Sequence, residues 1–466
     1  MKKIVFSTIT ALLLLLAGCL STKSAAHKNG QTPSPEAAFT EKTLSNGIPL
    51  VIKKQSGNFI ALRFVVEGGA ALLDESSAGL ESVTLDLMLA ESGNVSPQET
   101  AELEKTRDFF VSAACKADYS YAELKCAEND FADAFALFAD RILHPTLGES
   151  AFSALMQARM AALDAHKTNP SFMLSALLRE AAYKNHPYAT SPSITETSAN
   201  TITLPAVRQH HETMLRPERI ALIAAGNFGD GAVSADELFG ALDSTFGTLR
   251  PERNRAEAES ATPLDIPPCD FSDHERMTVV ESPLLTEEWH AVAYFDAPNR
   301  FDADYVPYVL AGMIVDDILF DEMKQKDCSV QSLGVGVMGG KELSGVISVL
   351  KAETQENPAD LIDGVVSSFP KEAVVRRELD RYKKEYIMAL HERGSDISNV
   401  ADNVMQAYLY AKNPAQYLAR PDLVESATAK QVIAAHKKYF GEKNNARKWI
   451  VLTGATTTQG EAAESE

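Results

Sequence analysis

Two histidine-containing runs in this sequence carry side chains of the kind that bind metal ions. The run His210–Glu212 begins with two adjacent histidines, but adjacent residues point to different faces of a helix and are poorly placed to hold one ion together. His391 is followed by a glutamate, as in a zinc-binding His-Glu-x-x-His helix, yet Ser395 stands where the second histidine is needed. We therefore interpret both runs as solvated surface residues.

A glycine-rich run and the cysteines could support two other kinds of chemistry. Gly339–Lys341 is not followed by serine or threonine and lacks the lead-in of a phosphate-binding loop, so it predicts a hairpin turn. No two cysteines are spaced as Cys-x-x-Cys, which argues against a zinc ribbon and a thioredoxin-like redox site. Cys115 and Cys126 flank a predicted hairpin around residues 118–121. A disulfide between the two strands is one interpretation, and two buried free thiols are the favoured one.

The elements that must position such residues belong to a large globular protein. The chain has 466 residues, of which 45% are hydrophobic and 23% charged, so it can bury a substantial core in two domains. Its formal net charge is -20, which argues against nucleic acid as a partner.

Several segments in the first half of the chain follow one another in an informative order. Thr43–Val51 contains Asn-Gly between apolar runs, a strong hairpin signal. Leu62–Ala70 is an apolar strand that ends in glycines, and Gly79–Met88 follows it. Three further segments follow in sequence: Leu143–Pro145, His186–Tyr188 and Arg216–Gly226.

This order is similar to that of the M16 (insulinase-like, pitrilysin) metallopeptidases. In that family a Gly-Leu pair and one further residue precede His-x-x-Glu-His, whose histidines hold zinc and whose glutamate activates water. When Gly79–Met88 is aligned without a gap, Ser82 and Asp86 stand at the histidine positions and Leu85 at the glutamate position. Leucine cannot deprotonate a zinc-bound water, so the resemblance implies a degenerate member with no catalytic residues.

The other positions that the resemblance assigns to chemistry have also changed. The family's third zinc ligand is a glutamate on a later helix, but Asp164 is the only carboxylate between Glu149 and Glu180. A set of Ser82, Asp86 and Asp164 is a poor match to zinc and would hold a hard cation only weakly. The resemblance therefore implies no metal and no cofactor, whereas active members bind zinc.

The second half of the family usually supplies an arginine and, seven residues later, a tyrosine that bind substrate. In the matching stretch, residues 319–332, Lys324 replaces the arginine and Gln331 the tyrosine. Lysine keeps the positive charge but loses the planar fork of arginine. Because some zinc-free members keep this pair to complete a partner's active site, its loss weakens the hypothesis of a catalytic helper subunit.

We expect an α+β fold of two homologous M16-like domains, each a mostly antiparallel sheet backed by helices, arranged as a clam shell. The two halves end alike, because His211 and His436 each precede an apolar strand and a glycine, which suggests an internal repeat. The expected segments are a signal peptide with a lipobox (1–19), a polar tether (20–38), an N-terminal domain (39–248), a linker (249–274), a C-terminal domain (275–455) and an acidic disordered tail (456–466).

The N-terminus predicts a bacterial lipoprotein. Two lysines precede the apolar run Ile4–Leu16, and Leu16-Ala17-Gly18-Cys19 is a lipobox cleaved before Cys19, which would be lipidated. The apolar run is too short to span a bilayer, whereas several acyl chains would hold the protein on a membrane. We expect a location in the cell envelope, with the outer membrane favoured.

Three functional hypotheses follow. In the first, the chain is non-catalytic and pairs with an active M16 subunit, or with a second copy, to hold peptide or unfolded protein in a chamber. In the second, it is an independent peptide-binding or envelope-binding lipoprotein. In the third, it is a zinc metalloendopeptidase with displaced ligands.

Overall fold

The computed structural model of the protein describes residues 38–250, 265–286, 288–326, 328–353, 357–441 and 447–454. The signal peptide with Cys19, most of the tether, residues 251–264 of the predicted linker and the acidic tail lie outside these residues. In the described part of the chain, no helix is long and apolar enough to cross a membrane.

The described residues form eleven strands in two sheets. The strands are β1 (Phe39–Thr43), β2 (Pro49–Lys54), β3 (Phe59–Glu67), β4 (Phe109–Cys115), β5 (Tyr119–Ala127), β6 (Ile220–Gly226), β7 (Met277–Glu281), β8 (Trp289–Asp296), β9 (Ser329–Gly339), β10 (Leu343–Glu353) and β11 (Lys448–Thr453).

Fourteen α-helices accompany these strands in the described residues. They are α1 (Leu80–Ala90), α2 (Pro97–Thr106), α3 (Phe131–Leu143), α4 (Glu149–Lys167), α5 (Pro170–Ala182), α6 (Glu196–Ala199), α7 (Leu204–Met214), α8 (Ala235–Thr245), α9 (Tyr305–Gln325), α10 (Pro358–Ser367), α11 (Glu372–Arg393), α12 (Ile397–Ala411), α13 (Arg420–Ser426) and α14 (Ala429–Ala435).

Strand order confirms the internal repeat. The first sheet has the order β1-β2-β6-β3-β5-β4 and the second β7-β11-β8-β10-β9. When β1 is left out, the two orders are equivalent. Each sheet has one parallel pair of strands, β2 with β6 in the first and β7 with β11 in the second, and its other pairs are antiparallel. The predicted hairpin at Asn46-Gly47 joins β1 to β2, and Gly47 has a φ of 94°, which glycine adopts readily. The predicted fold class, two mostly antiparallel sheets backed by helices, is therefore confirmed.

Two equivalent histidines mark the repeat in the cores. His211 near the end of α7 hydrogen-bonds the Ile142 carbonyl through Nε2, and His436 directly after α14 hydrogen-bonds the Val366 carbonyl, both at 2.8 Å. Both histidines are buried. The prediction that His211 is a surface residue is therefore wrong, because its ring pins the end of a neighbouring helix.

The pKa of His436 predicts a pH-dependent loss of stability. Burial lowers this pKa from 6.5 to about 4, so the unfolded chain binds the proton first. Stability from this group is complete above pH 6.5 and falls as the pH drops towards 4, by about 3 kcal/mol in all. Urea unfolding of His436→Gln should show a shallower decline between pH 6.5 and 4 than the unchanged protein. The exposed His391→Gln serves as the control, and an unchanged slope for His436→Gln would contradict the assignment.

The inner face of each sheet packs on helices of its own half. Phe64 of β3 lies with Phe138 of α3 and Phe246 in the first core, and Phe295 of β8 lies with Phe440 in the second. All five are essentially inaccessible to solvent. Burial of these aromatic residues is a main source of stability in each half.

The opposite face of each sheet is covered by a helix from the other half. Val400 and Val404 of α12 pack with Ala61, Ala221 and Ile223 of the first sheet. In return, α5 places Leu174 and Leu178 against β8 and β11 of the second sheet. This exchange joins the two halves through apolar surface.

A buried arginine joins the halves electrostatically. Arg63 of β3 donates through Nε to Glu123 at 2.6 Å and through Nη1 to Asp402 of α12 at 2.7 Å. A third hydrogen bond reaches the Ser398 carbonyl, and the guanidinium lies 4.1 Å from the centre of the Tyr121 ring. Both carboxylates raise the pKa of Arg63 against the effect of burial, so this arginine stays charged between them.

The tips of two equivalent hairpins meet at Asp118. The side chain of Asp118, in the turn between β4 and β5, accepts hydrogen bonds from the hydroxyls of Tyr188 and Tyr410, each at 2.9 Å. It also accepts the Lys341 backbone N–H, in the turn between β9 and β10, at 2.7 Å. The predicted turn at Gly339–Lys341 is confirmed, and it contacts the first half.

The free cysteines follow from the register of the β4–β5 hairpin. Cys115 pairs with Ser120, whereas Cys126 pairs with Phe109 at the other end of the same hairpin. At about 3.3 Å per residue, this separation far exceeds the reach of a disulfide. Both cysteines are free, and burial is the main cause that raises the pKa of each thiol to about 12.

Candidate functional site

The helix that the resemblance implies over residues 79–88 forms as α1, and the residue before it explains why it begins there. Gly79, which precedes α1, has a φ of 82°. A Cβ atom at this position would lie 2.4 Å from the Ile194 backbone nitrogen, so only glycine fits this turn. From there α1 packs against β4, α3, α4 and α7, and these elements surround the residues at the three motif positions.

The Ser82 hydroxyl forms a hydrogen bond at the start of its own helix. The Oγ atom donates to the Gly79 carbonyl at 3.0 Å, and the residue is buried. A hydroxyl is a weak zinc ligand. Ser82 therefore acts as part of the first turn of α1.

Leu85 belongs to the hydrophobic core of the first half. Its exposed fraction is 0%, and it packs in the same cluster as Leu62, Phe64 and Phe138. At this position the side chain has no atom that can accept a proton and no access to water. The position that serves as base in active M16 enzymes is thus part of the packing between α1 and the sheet.

Asp86 forms an ion pair with Arg159 of α4. Burial raises the pKa of Asp86, and Arg159 opposes that rise. The Arg159 guanidinium therefore supplies positive charge beside Asp86. Arg159 lies on α4, the later helix on which the resemblance implied a third zinc ligand. Asp164, the residue considered for that ligand, is exposed and instead pairs with Lys167 at 2.9 Å.

A buried charge cluster that the sequence did not predict lies on the neighbouring face of α1. Glu81 is fully buried; one of its oxygens lies 3.3 Å from His210 Nε2 and 3.7 Å from Arg219 Nη2. Burial opposes ionisation, but His210 and Arg219 together hold the pKa of Glu81 below its usual range. His210 is only 12% exposed at its side chain, so its assignment as a solvated residue is wrong. No spacing in the sequence relates Glu81 to a histidine 129 residues away.

Lys324 and Gln331 lie in the second half of the chain. Lys324 occupies the last turn of α9, Gln331 lies on β9, and both are exposed. Within the described ranges, no hydrogen bond or ion pair links either residue to α1.

The part of the chain that the structure describes contains no group of three or more histidine, cysteine, aspartate or glutamate side chains placed to hold a metal ion. At the motif positions themselves, Asp86 is paired with a guanidinium and the Ser82 hydroxyl hydrogen-bonds its own helix.

Comparisons with known proteins show similarity at the level of structure. No family model and no curated protein sequence matches the chain. Among solved structures, a protease from Helicobacter pylori matches with a TM-score of 0.76 at 16% identity, over 89% of this chain and 99% of that one. A peptidase M16 inactive domain from Pseudomonas fluorescens matches with a TM-score of 0.73 at 17% identity, over 89% and 98%.

A third structure is longer than this chain. The periplasmic protease PqqL from Escherichia coli matches with a TM-score of 0.71 at 15% identity, over 95% of this chain but only 49% of PqqL. At these identities the similarity concerns the fold.

Proposed function

Because this chain has the fold of the M16-like peptidases, we propose that it is a non-catalytic lipoprotein that holds extended peptide without hydrolysing it. It does so at the bacterial cell envelope. It acts as one wall of a peptide chamber, either alone or with a second chain.

The non-catalytic part of the proposal rests on the contacts of two residues of α1, Asp86 and Leu85. Hydrolysis in active members needs a metal-bound water and a base beside it. Here Asp86 is paired with Arg159, and Leu85 is sealed in the core. A cation approaching Asp86 would have to displace a guanidinium that is already hydrogen-bonded, and no proton acceptor stands at the base position.

Two sheet edges that pair with no further strand in the described residues support the peptide-holding part. β4 and β9 are the equivalent outer strands of the two sheets, and neither contains a charged residue or proline. Natural proteins usually protect an exposed edge with such residues, because the unpaired backbone can bind another strand. An extended peptide can add to such an edge by backbone hydrogen bonds. The hairpins that carry β4 and β9 meet at Asp118.

A second chain would complete the chamber. The chain spans about half the length of PqqL. The exchange of α5 and α12 fills the sheet faces between the two halves of this chain. The second wall would come from another M16-fold chain, either an active zinc subunit or a second copy. Because Lys324 and Gln331 replace the family's arginine and tyrosine, this chain would bind peptide rather than complete a partner's catalytic site.

The envelope location rests on the sequence and on one neighbour. Cys19 is the predicted lipidation site, and the similar protein PqqL is periplasmic. The lipid anchor would place the protein on a membrane surface, with the outer membrane favoured.

Peptide binding tests this proposal. The lipid-free chain from Ser21 onward is titrated into fluorescein-labelled unstructured peptides, and anisotropy and peptide mass are followed together. We expect saturable binding with every peptide still intact after a day. An absence of binding to all peptides would contradict the proposal, and so would cleavage that a chelator abolishes. Addition of an active M16 chain shows whether a second wall raises the affinity.

A further inference from the structure

The outer strand of the second sheet carries a gap in its side chains. β9 runs for 11 residues, Ser329–Gly339, and in the described residues it pairs on one side only, with β10. Gly334 and Gly336 lie two residues apart and therefore on the same face. A Cβ atom built on either glycine would have no heavy atom within 4 Å, so the space above both is open.

Apolar side chains border this gap. Gly336 pairs with Val346 of β10, and Met338 lies two residues further along the same face of β9. Val346, Leu350 and Met338 are partly buried and pack on the apolar cluster that α5 forms with β8 and β11. The Gly336 backbone is itself held in place, because the Tyr308 hydroxyl from α9 donates to its carbonyl at 3.2 Å. The result is a fixed shelf with open space where side chains would stand at Gly334 and Gly336, and with an apolar border.

Glycine in a strand often marks a place where another chain approaches closely. Side chains directly opposite each other on neighbouring antiparallel strands lie about 4.5–5.5 Å apart. A flat aromatic side chain on an added strand would lie over a glycine and cover its half-buried backbone, as when aromatic residues are placed opposite edge glycines in designed sheets.

We propose that β9 accepts an extended peptide as an added strand, and that the Gly334–Gly336 shelf selects peptides with an aromatic side chain at alternate positions. This inference rests on the proposed peptide-holding function and specifies the class of peptide. The absence of charged residues on β9 means that recognition depends on shape and backbone hydrogen bonds rather than on charge.

A second copy of the chain would fill this shelf poorly. Pairing of β9 with β9 from another copy would offer only the side chains of β9, and none of these is aromatic. The glycine gap would then meet only aliphatic, polar or glycine residues of the other copy. A peptide from another protein, with aromatic residues, is the better match.

The test compares two labelled peptides that differ only in aromatic residues or alanines at alternate positions. Anisotropy should show that the unchanged protein binds the aromatic peptide about tenfold more tightly, since aromatic cross-strand contacts stabilise neighbouring strands and the peptide offers more than one. Gly336→Val should remove this preference and leave the affinity for the alanine peptide within twofold. The variant should fold, because a Cβ at this position has open space and Gly336 does not adopt a positive φ. Gly240→Val, at a glycine on α8 that also has open space around it, is the matched control and should keep the preference.

Three other outcomes would overturn the inference. Equal binding of both peptides by the unchanged protein would leave the proposed function standing and remove the selectivity of the shelf. A preference that Gly336→Val preserves would place the aromatic site elsewhere on the protein. If sedimentation shows a dimer that Gly336→Val dissociates, the edge serves contacts between copies. No binding of either peptide would contradict the proposed function itself.

Discussion

Replacing Arg63 with alanine is expected to lower the free energy of unfolding by about 3–5 kcal/mol. The substitution would leave Glu123, whose side chain is 7% exposed, without its cation, and it would also free Asp402 of α12. An uncompensated buried carboxylate is costly. Since the total stability of a domain is only about 5–15 kcal/mol, the loss should be evident in urea unfolding followed by tryptophan fluorescence.

The matched control is Arg381→Ala, which removes an exposed arginine paired with Asp317 at 2.7 Å. Exposed ion pairs contribute about 0–1 kcal/mol, so this variant should unfold close to the unchanged protein. A loss below 1 kcal/mol for Arg63→Ala would mean that the two halves do not depend on this buried contact.

Leu85→Glu, which restores the base of active M16 enzymes, is expected to destabilise the protein more than Leu85→Ala. Alanine removes packing from a fully buried position and should cost about 2–5 kcal/mol. Glutamate adds the cost of burying a carboxyl group without a partner. Because burial raises the pKa of a carboxyl group, the penalty should grow as the pH rises above about 4.3, the usual value for glutamate.

Leu85→Met is the control, because a volume-conserving change should cost less than about 1.5 kcal/mol. Urea unfolding at pH 4 and pH 7 should therefore rank the variants methionine, alanine and glutamate in order of decreasing stability, with the widest spread at pH 7. If Leu85→Glu is as stable as Leu85→Met at pH 7, the side chain faces water and the site is more open than described here.

The sequence predicted the architecture well because local patterns decide it. The Asn46-Gly47 hairpin, the apolar strand that begins before Leu62 and the turn at Gly339–Lys341 each specify an element from residues close together in the chain. The matching positions of His211 and His436 indicated the repeat, although the sequence did not show that both rings are buried.

The site was predictable only in part, because its contacts join residues that are distant in sequence. The resemblance located Ser82, Leu85 and Asp86, but Arg159, the partner of Asp86, lies 73 residues further along. The Glu81–His210 contact depends in the same way on how α7 packs against α1. Patterns in one sequence identify faces of helices, whereas the pairing of buried charges depends on tertiary packing.

The most direct test of the central claim is zinc content and peptide cleavage measured on the same sample. The purified chain is equilibrated with zinc, dialysed, analysed by elemental mass spectrometry and then incubated with unstructured peptides, with and without a chelator. The account predicts well below one zinc per chain and no chelator-sensitive cleavage, because Asp86 is neutralised by Arg159 and Leu85 is sealed in the core. One tightly bound zinc per chain, lost in Asp86→Ala and accompanied by chelator-sensitive cleavage, would contradict it.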